Sequence, residues 1–331
     1  MPDIAQPNAD IVFRQADIKF YEATKAFKPY TVESGLVGIV PMETLIEDQL
    51  WSARIPVGRE WVGPRRVNSV SQHAKRLVAR PYEDTIEMRM EDLKFEKLPL
   101  FTQNIETLAQ QSEKLIDYQA AAYLLTNTHV GFDGQVLFSQ SHPTSGGDVT
   151  VKLPSSVPSV QSNFDPTTPL TWDNYVAARA KMMSWLGEDG KPLSIEPDLL
   201  VVPPQLQGIG KNILEADMIA NVTANIPAGG GVGQNIILAQ NNTFKNTARL
   251  LIAPDLANMP QSWFLCDTKK AIKPLVWGNL ESPIFTYLID PKSPNVFWLR
   301  TYVYGWSRWG TLTESLWYLI YGATGGAAYG D

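Results

Sequence analysis

Three side chains of the metal-binding and acid–base type fall near one another at His129, Asp133 and His142. Imidazole and carboxylate groups are ligands for zinc and partners in proton transfer, so this trio is the first place to look for chemistry. Its spacing matches neither the HExxH helix nor a paired Cys/His zinc set. The dipeptide Asp133-Gly134 makes a turn on its own account, and His142 is expected to hydrogen-bond within its loop. The single Cys266 sits in the apolar run Trp263-Phe-Leu-Cys-Asp267 with no activating neighbour, which reads as a buried inert thiol. One cysteine excludes an intrachain disulfide and fits a reducing birthplace. The cluster Ala228-Gly-Gly-Gly-Val-Gly-Gln234 invites comparison with phosphate-cradling loops. It lacks their lysine, departs from GxGxxG, and leads into a strand where those motifs open a helix, so it reads as a loop tip. No GxSxG elbow is present. The sequence therefore assigns no catalytic residue, no cofactor and no metal.

One stretch has a different chemistry. Arg54, Arg59, Arg65, Arg66, Lys75, Arg76 and Arg80 crowd residues 51–81, interleaved with Trp51 and Trp61. A basic stretch with aromatics can hold nucleic acid, but the chain carries a net charge of -6 and no recognition module surrounds the segment. Arg and Trp are also the residues that anchor protein–protein contacts, with Arg suited to bidentate carboxylate pairing. Subunit contact through Trp51, Arg54, Arg59, Trp61, Arg65, Arg66 and Arg76 is the favoured reading.

The elements that must carry these residues follow from pattern and length. With 331 residues, 44% hydrophobic and 19% charged, the chain can bury a core of about two lobes. The N-terminus lacks a basic region followed by an apolar core, so no secretory signal is expected, and no apolar run approaches the ~20 residues of a membrane span. Residues 1–49 read as a polar arm and lead-in with scattered apolar anchors at Ile11, Val12, Phe13, Ile18, Phe20, Tyr21 and Phe27. The Arg-rich stretch is expected to form a long β-hairpin ending in the strand around residues 85–95, where Ile86, Met88 and Met90 alternate with charged residues. Ile105, Leu108, Ser112, Leu115, Ile116, Gln119 and Tyr123 recur at helical spacing, predicting one long amphipathic helix over 104–126. Residues 127–170, rich in Gly and Pro, read as a surface excursion. Beyond them, Thr171 caps a helix to about Leu186, residues 198–202 form a buried strand, and Pro203-Pro204 open a helix through Leu214. Strands at 235–239 and 249–253 complete an α/β lobe.

The last fifth of the chain consists of short apolar and aromatic runs broken by Pro, Gly, Asp and Asn: Ile272-Lys-Pro-Leu-Val-Trp277, Val296-Phe-Trp-Leu-Arg300, Tyr302-Val-Tyr-Gly-Trp-Ser-Arg308 and Leu316-Trp-Tyr-Leu-Ile-Tyr-Gly-Ala-Thr324. These look like buried strands joined by turns, and none places a catalytic spacing. Their order resembles the C-terminal signature of the Mu-like phage major head subunits. Tyr82-Glu-Asp-Thr-Ile-Glu-Met-Arg-Met-Glu-Asp-Leu93, Phe132-Asp-Gly-Gln-Val-Leu-Phe-Ser-Gln-Ser-His-Pro143 and Leu199-Leu-Val-Val-Pro-Pro204 extend the resemblance over residues 80–325.

That resemblance implies an α+β fold of the Hong Kong 97 tailed-phage capsid type. It has an N-terminal arm (1–49), an extended β-hairpin loop (50–81), a peripheral domain (82–169) with spine helix 104–126, an axial α/β domain (170–285), and a return to the peripheral domain (286–331). The implied function is a major capsid protein that self-assembles, in hexamers and pentamers, into the icosahedral shell around a phage genome. Implied partners are further copies of itself, a separate scaffold, a portal and decoration proteins. Packaged DNA meets the shell only as a non-specific wall, no membrane takes part, and assembly belongs to the host cytoplasm before the protein resides in the virion. The alternatives are an encapsulin-like compartment shell, a loop-based hydrolase or metalloprotein, and a nucleic-acid binder.

Overall fold

The structure is a computed structural model that describes residues 9–52, 72–94, 98–147, 153, 155, 157–226 and 234–326. Along the chain, α1 (Ala9–Ala26) and the single turn α2 (Tyr30–Glu33) lead into β1 (Val37–Pro41), β2 (Ile46–Ser52), β3 (Gln72–Val78) and β4 (Arg80–Arg89). The short α3 (Met90–Lys94) precedes the long α4 (Leu98–Thr126). Three two-residue strands follow, β5 (His142–Pro143), β6 (Val160–Gln161) and β7 (Phe164–Asp165), and then α5 (Trp172–Ser184), β8 (Leu199–Val202) and α6 (Gln207–Leu214). The remainder is β9 (Met218–Ile226), β10 (Gln234–Asn241), β11 (Arg249–Ile252), β12 (Trp263–Cys266), β13 (Leu275–Leu288), β14 (Thr301–Glu314) and β15 (Ile320–Ala323).

Two sheets organise these elements. The first has the order β1-β13-β14-β4, with β1 parallel to β13 and the other pairs antiparallel. Its inner face carries Phe285, Tyr302, Tyr304 and Trp306, which pack against Phe101, Ile105 and Leu108 of α4 and Val12, Phe13 and Phe20 of α1. The second has the order β11-β8-β12-β15-β7. Every residue of β8, β12 and β15 is buried, because both faces of this sheet are covered. Leu200, Val202, Trp263 and Leu265 face α5 and α6, while Leu199, Val201, Phe264 and Cys266 face the other way, towards Ile116, Ala120 and Leu124 of α4. One helix thus touches both sheets, its early turns on the first and its later turns on the second. Each fully buried Leu or Ile on that face contributes about 1.5–3 kcal/mol.

Helix α4 begins at Leu98, earlier than the apolar repeat indicates, because Pro99 lies in the first turn, where its missing N–H costs no hydrogen bond. It stops where Asn127 turns left-handed at φ 45°. The Asn127 side chain then binds Phe138 twice, accepting from its N–H at 2.8 Å and donating to its carbonyl at 2.9 Å, which folds the next segment back. Thr171 caps α5 as expected, accepting from the Asn174 N–H at 3.2 Å.

Several expectations need correction. The arm contains an 18-residue helix, α1, with Val12, Phe13, Ala16 and Phe20 on one buried stripe. That stripe was disguised by Ile11 and Ile18, which face outward. The Arg-rich hairpin does not end in the strand near residue 85: β2 pairs with β3, and β4 is a separate strand paired to β14. The described residues of 127–170 are no surface excursion. Leu137, Phe138, His142 and Asn163 are buried, and β7 forms an edge of the second sheet. Residues 295–299 are not a buried strand but one wide helical turn, with Phe297, Trp298 and Leu299 exposed. Position 285 falls within β13, and the second sheet recruits β15 from beyond residue 286.

A close approach at Gly310 makes a stability prediction. A Cβ there would lie 2.3 Å from Cζ2 of the buried Trp277 and 2.9 Å from the Gly278 carbonyl oxygen. Gly310→Ala is expected to cost about 1–3 kcal/mol by overpacking, read from the urea unfolding midpoint of the unassembled subunit. An unchanged midpoint would show that the indole can move aside freely.

Candidate functional site

The Arg/Trp segment is the site the sequence singles out, and the described residues contain its stem. Strands β2 and β3 pair antiparallel from Ile46↔Val78 to Ser52↔Gln72, with Trp51 opposite His73. Arg76 on this stem pairs with Asp48 across it, Nε to Oδ1 at 3.1 Å, both side chains largely exposed. Arg54, Arg59, Trp61, Arg65 and Arg66 lie outside the described residues.

Two contacts fix the stem to the body. Leu77 and Ala79 pack with Met42 and Leu280 in a small separate apolar cluster. Lys75 reaches from β3 to the buried Glu314 at the end of β14, Nζ to Oε1 at 2.6 Å, and also donates to the Val130 carbonyl. Burial pushes the Glu314 carboxyl above its usual range, and the Lys75 charge and hydrogen bond pull it partly back. The ammonium is therefore an electrostatic bolt between hairpin and sheet. A cleft of about 450 Å3 beside the bolt is lined by Arg76, Arg80, Tyr82, Tyr123 and His129. His129 stacks on Tyr123 with centroids 4.5 Å apart, and burial, then the nearby Lys75 and Arg80 charges, hold its pKa below the usual value.

The trio with which the sequence reading began separates in space. His142 and Asp133 meet at 2.6 Å, Nδ1 to Oδ2, with both side chains 1% exposed. The other ring nitrogen of His142 faces the Asn163 Oδ1 at 3.0 Å and the Leu137 carbonyl at 3.2 Å, and the ring stacks on Trp317 at 4.5 Å. The Asp133 Oδ1 accepts from the Gln135 N–H at 3.1 Å, which is the turn expected of Asp-Gly. Asn163 donates to the carbonyls of Leu137, Trp317 and Ile320, so the pair belongs to a buried web tying the 127–165 segment to the second sheet. A carboxylate–imidazole pair sealed from solvent on every side has no room for a substrate. Among the described residues no group of three or more His, Cys, Asp or Glu could hold a metal ion. Cys266 is fully buried, and burial raises its thiol pKa well above the ordinary value, which removes nucleophilic character. Gly229, Gly230, Gly231 and Gly233 lie outside the described residues.

One surface is not legible in the sequence. The exposed trio Phe297, Trp298 and Leu299 was hidden by its own composition, since an apolar run of that length is the usual mark of burial. No helix among the described residues is long and apolar enough to cross a membrane.

Comparison with known proteins bears on what such a body does. A search of curated proteins finds no match to this sequence. Among solved structures the chain resembles the procapsid of bacteriophage JBD30, with 16% identity over 95% of this chain and 75% of that one at a TM-score of 0.52. It also resembles the bacteriophage JBD30 capsid, at 16% identity over 72% of this chain and 94% of that one with a TM-score of 0.54. A third likeness is to a Microbacterium phage Oxtober96 structure, at 12% identity over 92% of this chain and 88% of that one with a TM-score of 0.51. At these identities the likeness is one of fold: a mixed α+β phage-capsid architecture. The family described as Mu-like prophage major head subunit gpT matches residues 10–159, 158–256 and 240–326, taking in α1 and the hairpin stem as well as the later blocks. With nearly the whole described body inside that match, the chain belongs to the Mu-like major head subunit family, the major capsid proteins of tailed-phage heads.

Proposed function

We propose that this subunit works by assembly alone, tiling in hexamers and pentamers into an icosahedral shell around the phage genome and carrying no catalytic or metal centre. In this reading the first sheet with α1 and α4 is the peripheral domain, with α4 as its spine. The second sheet with α5, α6 and the β9–β10 hairpin is the axial domain. The chain passes from the first to the second after α4, returns before β13 and passes to the second again before β15. A separate scaffold, a portal and decoration proteins are the expected partners, DNA is met as a non-specific wall, and assembly takes place in the host cytoplasm.

The observation that carries this reading is the bolted hairpin stem. Residues 53–71, which the stem leads into, hold four arginines against one glutamate in a chain whose net charge is -6. The open edge strand β4 exposes Glu83, Asp84 and Glu87. Opposite charges carried by one subunit can guide a neighbour into register, and head-to-tail contacts whose rotation closes make rings.

Arg65→Glu with Arg66→Glu is expected to leave the subunit folded and to slow shell closure by on the order of tenfold or more, followed by sedimentation and electron microscopy. Raising salt should weaken wild-type assembly in the same direction, since exposed pairs are screened over about 10 Å at 0.1 M. Normal particles from the double variant at low salt would remove the hairpin from the contact. Particles that close but hold no DNA would assign the segment to nucleic acid.

A further inference from the structure

We propose that the turn between β13 and β14 is a rigid apolar knob, centred on Trp298, that seats in a cleft of a second copy of this chain. The inference rests on the assembly reading above. Phe297, Trp298 and Leu299 are 66%, 77% and 65% exposed in immediate succession, the largest consecutive apolar exposure among the described residues. A turn that only joined two strands would gain nothing from showing these groups to water.

The knob is built to hold its shape. Val296, just before it, is buried in the core shared by α1, α4 and the first sheet. Ser293 N–H donates to the Asp290 carbonyl and Phe297 N–H to the Ser293 carbonyl, both at 2.9 Å. Arg300 closes the turn in the left-handed region at φ 53°, its carbonyl accepting from the Met90 N–H at 2.9 Å and its Nε 3.2 Å from the Glu91 Oε1. The Phe297 and Trp298 rings meet edge to face at 4.9 Å, which fixes the aromatic pair as one unit.

A matching seat lies at the same end of β14. A cleft of about 310 Å3 opens between the first turns of α4 and the ends of β4 and β14, walled by Met88, Leu100, Phe101 and Tyr304. Glu87 and Asn104 line it too, and either can accept the indole N–H that a buried tryptophan must satisfy. Because knob and cleft share one end of the sheet, copies meeting there can offer each other both halves. The trio exposes on the order of 400 Å2, about half of the ~800 Å2 per partner of a stable two-body interface. A single seating is therefore weak and gains strength by repetition among many identical copies, which selects a second copy over a lone foreign partner.

Cysteine crosslinking tests this contact, since the one native thiol, Cys266, is buried. A Trp298→Cys chain and an isotope-labelled Leu100→Cys chain, each a minor fraction among wild-type copies, are assembled together and oxidised. A disulfide joining positions 298 and 100 of differently labelled chains is expected in the particles. Trp298→Ala should raise the critical concentration for assembly by about tenfold or more while leaving urea unfolding of the subunit unchanged. Particles with no 298–100 link, links only between two 298 positions, or a normal critical concentration for Trp298→Ala would overturn the contact and leave the assembly reading standing. A wild-type chain that forms no particles would overturn that reading and the contact with it.

Discussion

Arg308→Ala is expected to destabilise the subunit by about 3–5 kcal/mol, the usual cost of removing one partner of a buried ion pair. Arg308 lies on β14 under α4 and is 2% exposed. Its Nη1 donates to the Ser112 carbonyl at 2.7 Å and stands 3.7 Å from the Glu113 Oε2, and its Nη2 donates to the Asn279 Oδ1 at 3.1 Å. The guanidinium also sits 5.1 Å from the Trp277 ring centroid. Burial lowers the Arg308 pKa and raises that of Glu113, and each charge partly reverses the other's shift. Alanine would strand Glu113 and open a void beside Trp277. Arg308→Met, which refills most of the volume, should recover part of the loss, separating packing from charge. The comparison is made by urea unfolding at neutral pH. A loss below about 1 kcal/mol for alanine would mean that water already reaches the guanidinium.

The second large effect is pH-dependent. Lys75→Met is expected to cost about 3 kcal/mol at pH 8 and under about 1 kcal/mol near pH 5. Burial is the first cause acting on Glu314 and raises its folded pKa, with Lys75 opposing. Without the ammonium that pKa rises further. A carboxyl whose folded pKa exceeds its unfolded value favours the fold while protonated, and this advantage fades as pH climbs from the unfolded value through the folded one. The variant should therefore fall behind wild type increasingly from acid to mildly basic pH, and Glu314→Gln on the same background should flatten the difference. A loss of the same size at both pH values would show that Lys75 acts by packing alone. Because Lys75 bolts the hairpin stem to β14, the same variant should also loosen the stem, read as faster amide exchange in β2 and β3 at pH 8.

The Lys75–Glu314 pair lies where the hairpin stem joins the body. The stem meets the body through few apolar side chains, Leu77 and Ala79 against Met42 and Leu280. A buried ion pair adds direction to that small contact, because it is satisfied in one geometry and costly in any other.

Periodicity by itself determined the elements whose burial is one-sided or complete. The α4 face from Ile105 to Tyr123, the Thr171 cap, the all-apolar β8 and the charge alternation of β4 were legible because water sorts side chains along a single helix or strand wherever one partner surface dominates. The ordered blocks after residue 80 were also enough to bring out the family resemblance. Tertiary structure decided the rest. Helix α1 was masked because Ile11 and Ile18 stay outside while Phe13 and Phe20 enter a core made by distant strands. The true return strand of the hairpin, β3, could not be told from β4, since pairing is chosen by register and by the Lys75–Glu314 bond across 239 positions. His142 was placed in its own loop, and only the folded chain brings Asn163 and Trp317 around it. Phe297, Trp298 and Leu299 read as core by composition and stand in solvent, because Val296 and Arg300 on either side take up the available anchors. Local pattern records what a segment can bury; which surface it meets is set by the rest of the chain.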